Sequence, residues 1–344
     1  MAVLKYADVV EKLGKGRSHL LLGNGFSIAC DKCFSYSSLF EYAKANGLSS
    51  RAAAVFDRLG TNNFEGVMRL LDDGEWLAFH YGLLTGTDRP MKADLDSVKS
   101  SLIASVAKTH PDHTHKIATE AKNACIAFLE SFHNIFTTNY DILLYWVEME
   151  GLDRLKGRDG FRQDVDGFED DYLVFSEHVG GDKGLFFIHG ALHLYVEHGE
   201  VRKHTWSRSG KSLIENVRDG LDAGRYPLFV AEGRAEHKLE QIQRSGYLSY
   251  CLGKLERIEN AMVTFGLSFG ESDDHISDAL ARNRKLSTLY VGLFGDPDGS
   301  ANLEVRKHVA RLTEHRKKLV EAGRCRDNLT VEFFDSATAP VWRL

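Results

Sequence analysis

The sequence predicts an α/β fold: a mostly parallel sheet with helices on both faces, plus a helical insertion. Two observations carry this. Short apolar segments rich in branched residues recur along the chain, and longer stretches with apolar residues at helical spacing lie between them. The 344 residues give room for one large α/β domain carrying an insertion, or for about two domains of ordinary size.

In chain order, the strand segments are Ser18 to Leu22, Asn134 to Thr138, Gly184 to Ile188, Pro227 to Ala231, Ala261 to Leu267 and Ser287 to Phe294. Each is too short for most helices and has the character of a strand buried on both faces. Helical spacing marks Ser37 to Asn46, Phe64 to Tyr81, Thr114 to Phe132, Tyr140 to Glu150, Glu236 to Ile258, Asp273 to Arg284 and Leu303 to Glu321. Strands joined through helices pair in parallel. Ser38 to Phe132 shows helical patterns without a convincing strand, so residues 38–132 are expected to form a small lobe inserted into a main domain of residues 1–37 and 133–344. Gly151 to Asp182 is rich in Asp and Gly and reads as a surface loop with one short strand around Tyr172 to Phe175. Ala191 to Trp206 alternates apolar and polar residues about a His-Gly-Glu turn, which predicts a hairpin.

Composition excludes several classes. Lys and Arg number 43 against 49 Asp and Glu, a net charge of −6, so the basic footprint of a nucleic-acid binder is missing and no direct nucleic-acid contact is expected. Hydrophobic residues at 43% and charged residues at 27% fit a folded globular chain, not a disordered one. No apolar run approaches the ~18 residues of a membrane span and the first residues lack a leader pattern, so a cytoplasmic protein without membrane contact is expected. The cysteines Cys30, Cys33, Cys125, Cys251 and Cys325 are odd in number and mostly far apart, as reduced thiols would be. Cys30 and Cys33 form a CxxC, but a structural zinc site wants a second pair.

Four segments could carry chemistry. The first strand runs into Gly23-Asn24-Gly25-Phe26-Ser27, where glycines would let the backbone approach a phosphate; a tight strand-to-helix turn without ligand explains them equally. The second strand ends in Thr138-Asn139-Tyr140-Asp141, at the carboxyl end where open α/β sheets bind ligands, with helix capping as the alternative. The third delivers His189 and then Gly190; an imidazole there suits proton transfer, and a structural histidine is the alternative. His193, four residues on, need not share a face with His189, so paired metal ligation is not expected. The fourth reads Gly266-Leu267-Ser268-Phe269-Gly270-Glu271-Ser272-Asp273-Asp274-His275, its acidic pair explained as a helix cap. The last strand ends similarly and could wall an adenine or ribose subsite. Glu232 and Lys238, where a strand ends and a helix starts, could face the groove, with capping and solvent-exposed charge as the favoured account. Gly210-Lys211-Ser212 has a P-loop ending, but Thr205 stands where the first glycine belongs.

In order, GNGFS, TTNYD, a strand ending in His-Gly and GLSFGESD resemble the motif series of the sirtuin-like NAD-binding superfamily. The resemblance implies a Rossmann-like fold and NAD as substrate. It implies that Gly23, Asn24, Gly25, Phe26 and Ser27 cradle the pyrophosphate, with Thr138 beside them. Asn139 would hold the nicotinamide ribose or an attacking water, Asp141 would support the site, and His189 would accept a proton. Gly266 and Ser268 would line the far end of the groove. Of the four zinc cysteines typical of sirtuin lysine deacylases, only Cys251 falls in the corresponding interval, so deacylation is disfavoured and no metal is expected. The pattern is closest to bacterial zinc-free sirtuin-like NADases of antiphage defence. That implies a homo-oligomer, with an activating partner such as a defence-associated ATPase. A non-catalytic NAD or ADP-ribose sensor is the alternative; protein deacylation or ADP-ribosyl transfer is disfavoured.

Overall fold

The apolar segments form strands, and the computed structural model, which describes residues 3–84, 89–163, 172–176, 183–205 and 210–343, arranges them in two sheets. In chain order the strands are β1 (Leu4–Lys5), β2 (Ser18–Leu22), β3 (Asn134–Thr137), β4 (Phe161–Arg162), β5 (Tyr172–Phe175), β6 (Gly184–Phe187), β7 (Gly190–Glu197), β8 (Glu200–His204), β9 (Pro227–Phe229), β10 (Asn260–Phe265), β11 (Leu286–Leu293) and β12 (Thr330–Asp335).

The first sheet has the order β1-β12-β11-β10-β2-β3-β6, with every neighbouring pair parallel. Helices flank it, so this is the Rossmann-like α/β arrangement predicted. β2 lies inside the sheet between β10 and β3, and Leu20, Leu21 and Leu22 are completely buried, which is why this segment is apolar without alternation. The chain moves outward from β2 to β3 and β6, then returns to β2's other side for β10, β11 and β12. The strand order therefore reverses between β2 and β10. Their diverging carboxyl-end loops leave a crevice there, as doubly wound sheets do.

Between β2 and β3 the chain is helical: Gly25–Cys30, Tyr36–Ala45, Ser50–Leu59, Phe64–His80, Pro90–Thr109 and Thr119–Glu130, with short 3-10 turns. Ser49 and Asn63 cap two of these helices through their side chains, the spacing small polar residues favour at N-termini.

The second sheet, β4-β5-β8-β7-β9, is antiparallel throughout. β7 and β8 are the predicted hairpin, turning at His198 and Gly199, both with positive φ. β5 covers the predicted Tyr172–Phe175. The Pro227 segment departs from expectation: it pairs antiparallel with β7 and lies outside the parallel sheet. Its proline stands at the first strand position of an edge strand, where a missing N–H costs no ladder bond. The helix predicted from Glu236 to Ile258 is two, Ala235–Arg244 and Gly246–Leu255, because Ser245 breaks off and caps the second. The rejected P-loop segment is partly outside the described residues, at 206–209; Ser212 forms a capping box with Glu215, and Lys211 pairs with Asp219. Residues 164–171 and 177–182 of the 151–182 loop are also outside them, and its described part departs from a loop with one strand: it holds the helix Leu152–Leu155 and β4, which pairs with β5. Among the described residues no helix is long and apolar enough to cross a membrane.

Candidate functional site

At the strand reversal the loops after β2 and β10 meet backbone to backbone. Gly23 N–H donates to the Phe265 carbonyl and Gly25 N–H to the Gly266 carbonyl, each at 2.9 Å. A Cβ on Gly25 would stand 2.5 Å from Gly266 Cα, and Gly266 itself holds a φ of +68°. Close approach of the two loops thus requires the glycines. The amides of Gly25, Phe26, Ser27 and Ile28 all donate to carbonyls of the protein. Asn24 and Gly25 line the cavity, whereas Gly23, Phe26 and Ser27 lie behind its wall. Phe26 packs on Trp342, with ring centroids 5.0 Å apart, and Trp342 Nε1–H donates to the Phe26 carbonyl at 2.8 Å.

Buried Ser27 organises the end of β3. Its hydroxyl donates to Asp141 Oδ2 at 2.5 Å and accepts from Asn139 Nδ2 at 2.8 Å. The second oxygen of Asp141 accepts from Leu143 N–H at 2.9 Å. Burial raises the Asp141 carboxyl above the ordinary range, with the Ser27 and Leu143 hydrogen bonds acting against it. Asn139 is held at its amide nitrogen, while its Oδ1 is buried without a hydrogen-bond partner. An orphaned buried acceptor is costly unless something donates to it.

β6 ends at His189. Gly190, at φ +77°, follows because a Cβ there would strike the Leu228 carbonyl of the second sheet. His189 Nε2 is 2.8 Å from His275 Nε2 and 3.9 Å from Asp273 Oδ1, and the Thr138 backbone favours the protonated imidazole. Beside them Lys238, with 0% of its side chain exposed, donates to Glu65 Oε1 at 2.8 Å and to Asp273 Oδ1 at 2.9 Å. Burial works to lower the Lys238 ammonium's pKa, but Asp273 and Glu65 outweigh it and hold it above the usual lysine value. Burial, and then the Lys238 charge, drives His189 well below an ordinary histidine, and His275 to about 4. Both imidazoles are neutral at pH 7.

These groups border one cavity of about 680 Å³, in the size range of small-molecule sites. Asn24, Gly25, Thr138, Asn139, Asp141, His189, Gly266 and Ser268 all line it, so most of the residues singled out in the sequence converge. Phe294 and Gly292 at the end of β11, with Asn302 and His308 of the helix Ser300–Glu321, close the far side.

Four further residues escape the sequence reading. Lys238 is not a solvent-exposed charge, and Asp273 makes no side-chain cap; the two are bonded to each other. Glu65 and His275 complete the cluster. A usable signal existed for Lys238, since it falls at helical spacing with the buried Ala235 and Ile242. His189, Asp273 and His275 offer three donor atoms within 4.8 Å of one another, a grouping that could hold a metal ion. The Lys238 ammonium already occupies the carboxylate oxygen, and the two imidazole nitrogens face each other.

A Rossmann-like sheet defines an α/β protein, here with a cavity at the carboxyl ends of its strands where their order reverses. The chain belongs to the family described as Domain of unknown function (DUF4917), which matches residues 20–342. No curated protein matches it.

Proposed function

We propose that the chain binds NAD in this cavity and hydrolyses the nicotinamide–ribose bond, giving nicotinamide and ADP-ribose or its cyclic form. One observation carries the reading: Asn139 and His189, from neighbouring strand ends, converge on a single cavity at the strand reversal, and Asn139 presents a buried oxygen with no partner. Breaking that bond develops oxocarbenium-like charge. The site then needs a placed hydroxyl or water, a neutral base and dipoles fixed in advance. Asn139 Oδ1, steadied through Ser27, would accept from a ribose hydroxyl or the attacking water. His189, kept neutral by burial and by Lys238, is able to take a proton. Arg69, half-exposed at the cavity and bonded to Glu271 at 2.8 Å, supplies a cation for the pyrophosphate. The resemblance to zinc-free sirtuin-like defence NADases supports NAD depletion as the biological output, in an oligomer triggered by a partner.

A second reading, a module that senses NAD or ADP-ribose without cleaving it, is favoured by the engagement of His189 Nε2 with His275. One experiment separates the two. Wild type, His189→Ala and Asn139→Ala are incubated with NAD; nicotinamide is followed by chromatography and affinity by calorimetry. The hydrolase reading expects release by wild type, a roughly 10²–10⁴-fold slower reaction in His189→Ala with NAD affinity retained, and a loss at least as large in Asn139→Ala. Binding without release selects the sensor, and absence of binding removes NAD from both readings.

A further inference from the structure

His189 is engaged on both sides of its ring. His275 Nε2 stands 2.8 Å from its Nε2, and the Thr138 backbone acts on the imidazole in the sense that favours an N–H. A neutral imidazole carries one N–H, so with Nε2 turned to His275 that hydrogen is on Nδ1 and Nε2 is the acceptor. His275 must then be the donor. We infer that His275 restrains His189: in the ligand-free protein it donates its Nε2–H to His189 Nε2, holding the base in one tautomer, and it withdraws that hydrogen when His189 takes a proton.

The inference rests on the reading of His189 as the base. Three observations bear on it. His275 stands in the first turn of the helix Asp274–Arg282, and its other nitrogen, Nδ1, is buried without a partner. Its ring is therefore anchored by the His189 contact alone and no second hydrogen bond opposes its withdrawal. Asp273 Oδ1, which accepts from Lys238 at 2.9 Å, is 3.9 Å from His189 Nε2 and has a second lone pair to accept from the imidazolium once His275 moves. The remaining groups facing the pair are Lys238, which bridges Asp273 to Glu65, and the Tyr140 ring, whose hydroxyl is tied to the Val230 carbonyl at 2.8 Å. None of these donates to Nε2. In the step itself an O–H bond of water or a ribose hydroxyl breaks, its electron pair stays on oxygen, and the proton forms an N–H bond at His189 Nε2.

The test is nitrogen NMR on protein labelled with ¹⁵N-histidine, read with and without saturating NAD, beside nicotinamide release. A scalar coupling between the two Nε2 atoms is expected in ligand-free wild type, diminishing on NAD saturation. In His275→Ala the coupling is absent, the His189 pKa rises, and release quickens about fivefold, the worth of one neutral hydrogen bond. His275→Phe keeps the ring volume without the donor and gives the same readings if the alanine variant does not fold. No coupling in wild type, a coupling undiminished under turnover, or a folded variant no faster than wild type overturns the inference. Should wild type cleave no NAD, the hydrolase reading fails separately. The pairing is then decided by the coupling and by the His189 titration in His275→Phe, where an unchanged pKa rejects it.

Discussion

Ser27 Oγ is shared: Asp141 accepts its hydrogen and Asn139 donates to its lone pair. Removing the hydroxyl leaves two buried polar groups short of a partner. Ser27→Ala is therefore expected to lower stability by about 1–3 kcal/mol and to slow any NAD cleavage, with urea unfolding and nicotinamide release as the measurements. A variant equal to wild type in both would take Ser27 out of the site. Away from the cavity, Glu148 is buried beside Asp159 and Lys203; burial, and then Asp159, push its carboxyl up to about 7. The sign follows from linkage. The folded state holds the proton more tightly than the unfolded chain, so this stability is present below the ordinary value of 4.5 and is lost as pH rises through about 7. Glu148→Gln should flatten that loss and be the more stable protein at pH 8, by on the order of 1–3 kcal/mol; equal melting curves from pH 4 to pH 8 would refute it. At this scale Asn139, Asp141 and His189 were legible because polar residues that end an apolar strand must face the sheet's carboxyl edge. Glu65, Asp273 and Lys238 were not, since each charge is explained locally as exposed or capping until the others are brought beside it.

The loops after β2 and β10 are tied by glycines, and the tie is intolerant of a side chain. Gly266→Ala would combine a left-handed backbone with a Cβ 2.5 Å from Gly25 Cα, for a cost of about 2–4 kcal/mol. Thermal unfolding measures it, and an undisturbed melting temperature would mean that the loops can part. Most elements were readable from periodicity, the hairpin of β7 and β8 included, because its alternation and turn residues are local signals. β1 has only two residues and β12 carries Glu332 amid its apolar run, so neither declares itself without the neighbour it pairs with. The break at Ser245 was hidden by an apolar stripe that continues in phase across both helices.

Across the whole molecule, Lys238 joins Glu65, at the start of the helix Phe64–His80 in the inserted segment, to Asp273 after β10. Replacing it by methionine strands two carboxylates in the interior. Lys238→Met is expected to cost about 3–5 kcal/mol and to raise the His189 pKa, readable by calorimetry and histidine NMR; a variant as stable as wild type would show the carboxylates to be solvated. The parallel sheet was legible from the alternation of elements, but its strand order was not, because the return from β6 past β2 to β10 depends on pairing between distant segments. Trp342 bears on when such a molecule becomes finished. It braces the Phe26 carbonyl one residue before Ser27, yet lies more than three hundred positions downstream. A nascent chain leaving the ribosome thus carries Ser27, Asn139 and His189 long before the indole that steadies them emerges. Were the protein an NAD-consuming enzyme, its host would be shielded during translation for as long as Trp342 stays inside the ribosome, with catalytic competence waiting on that one indole.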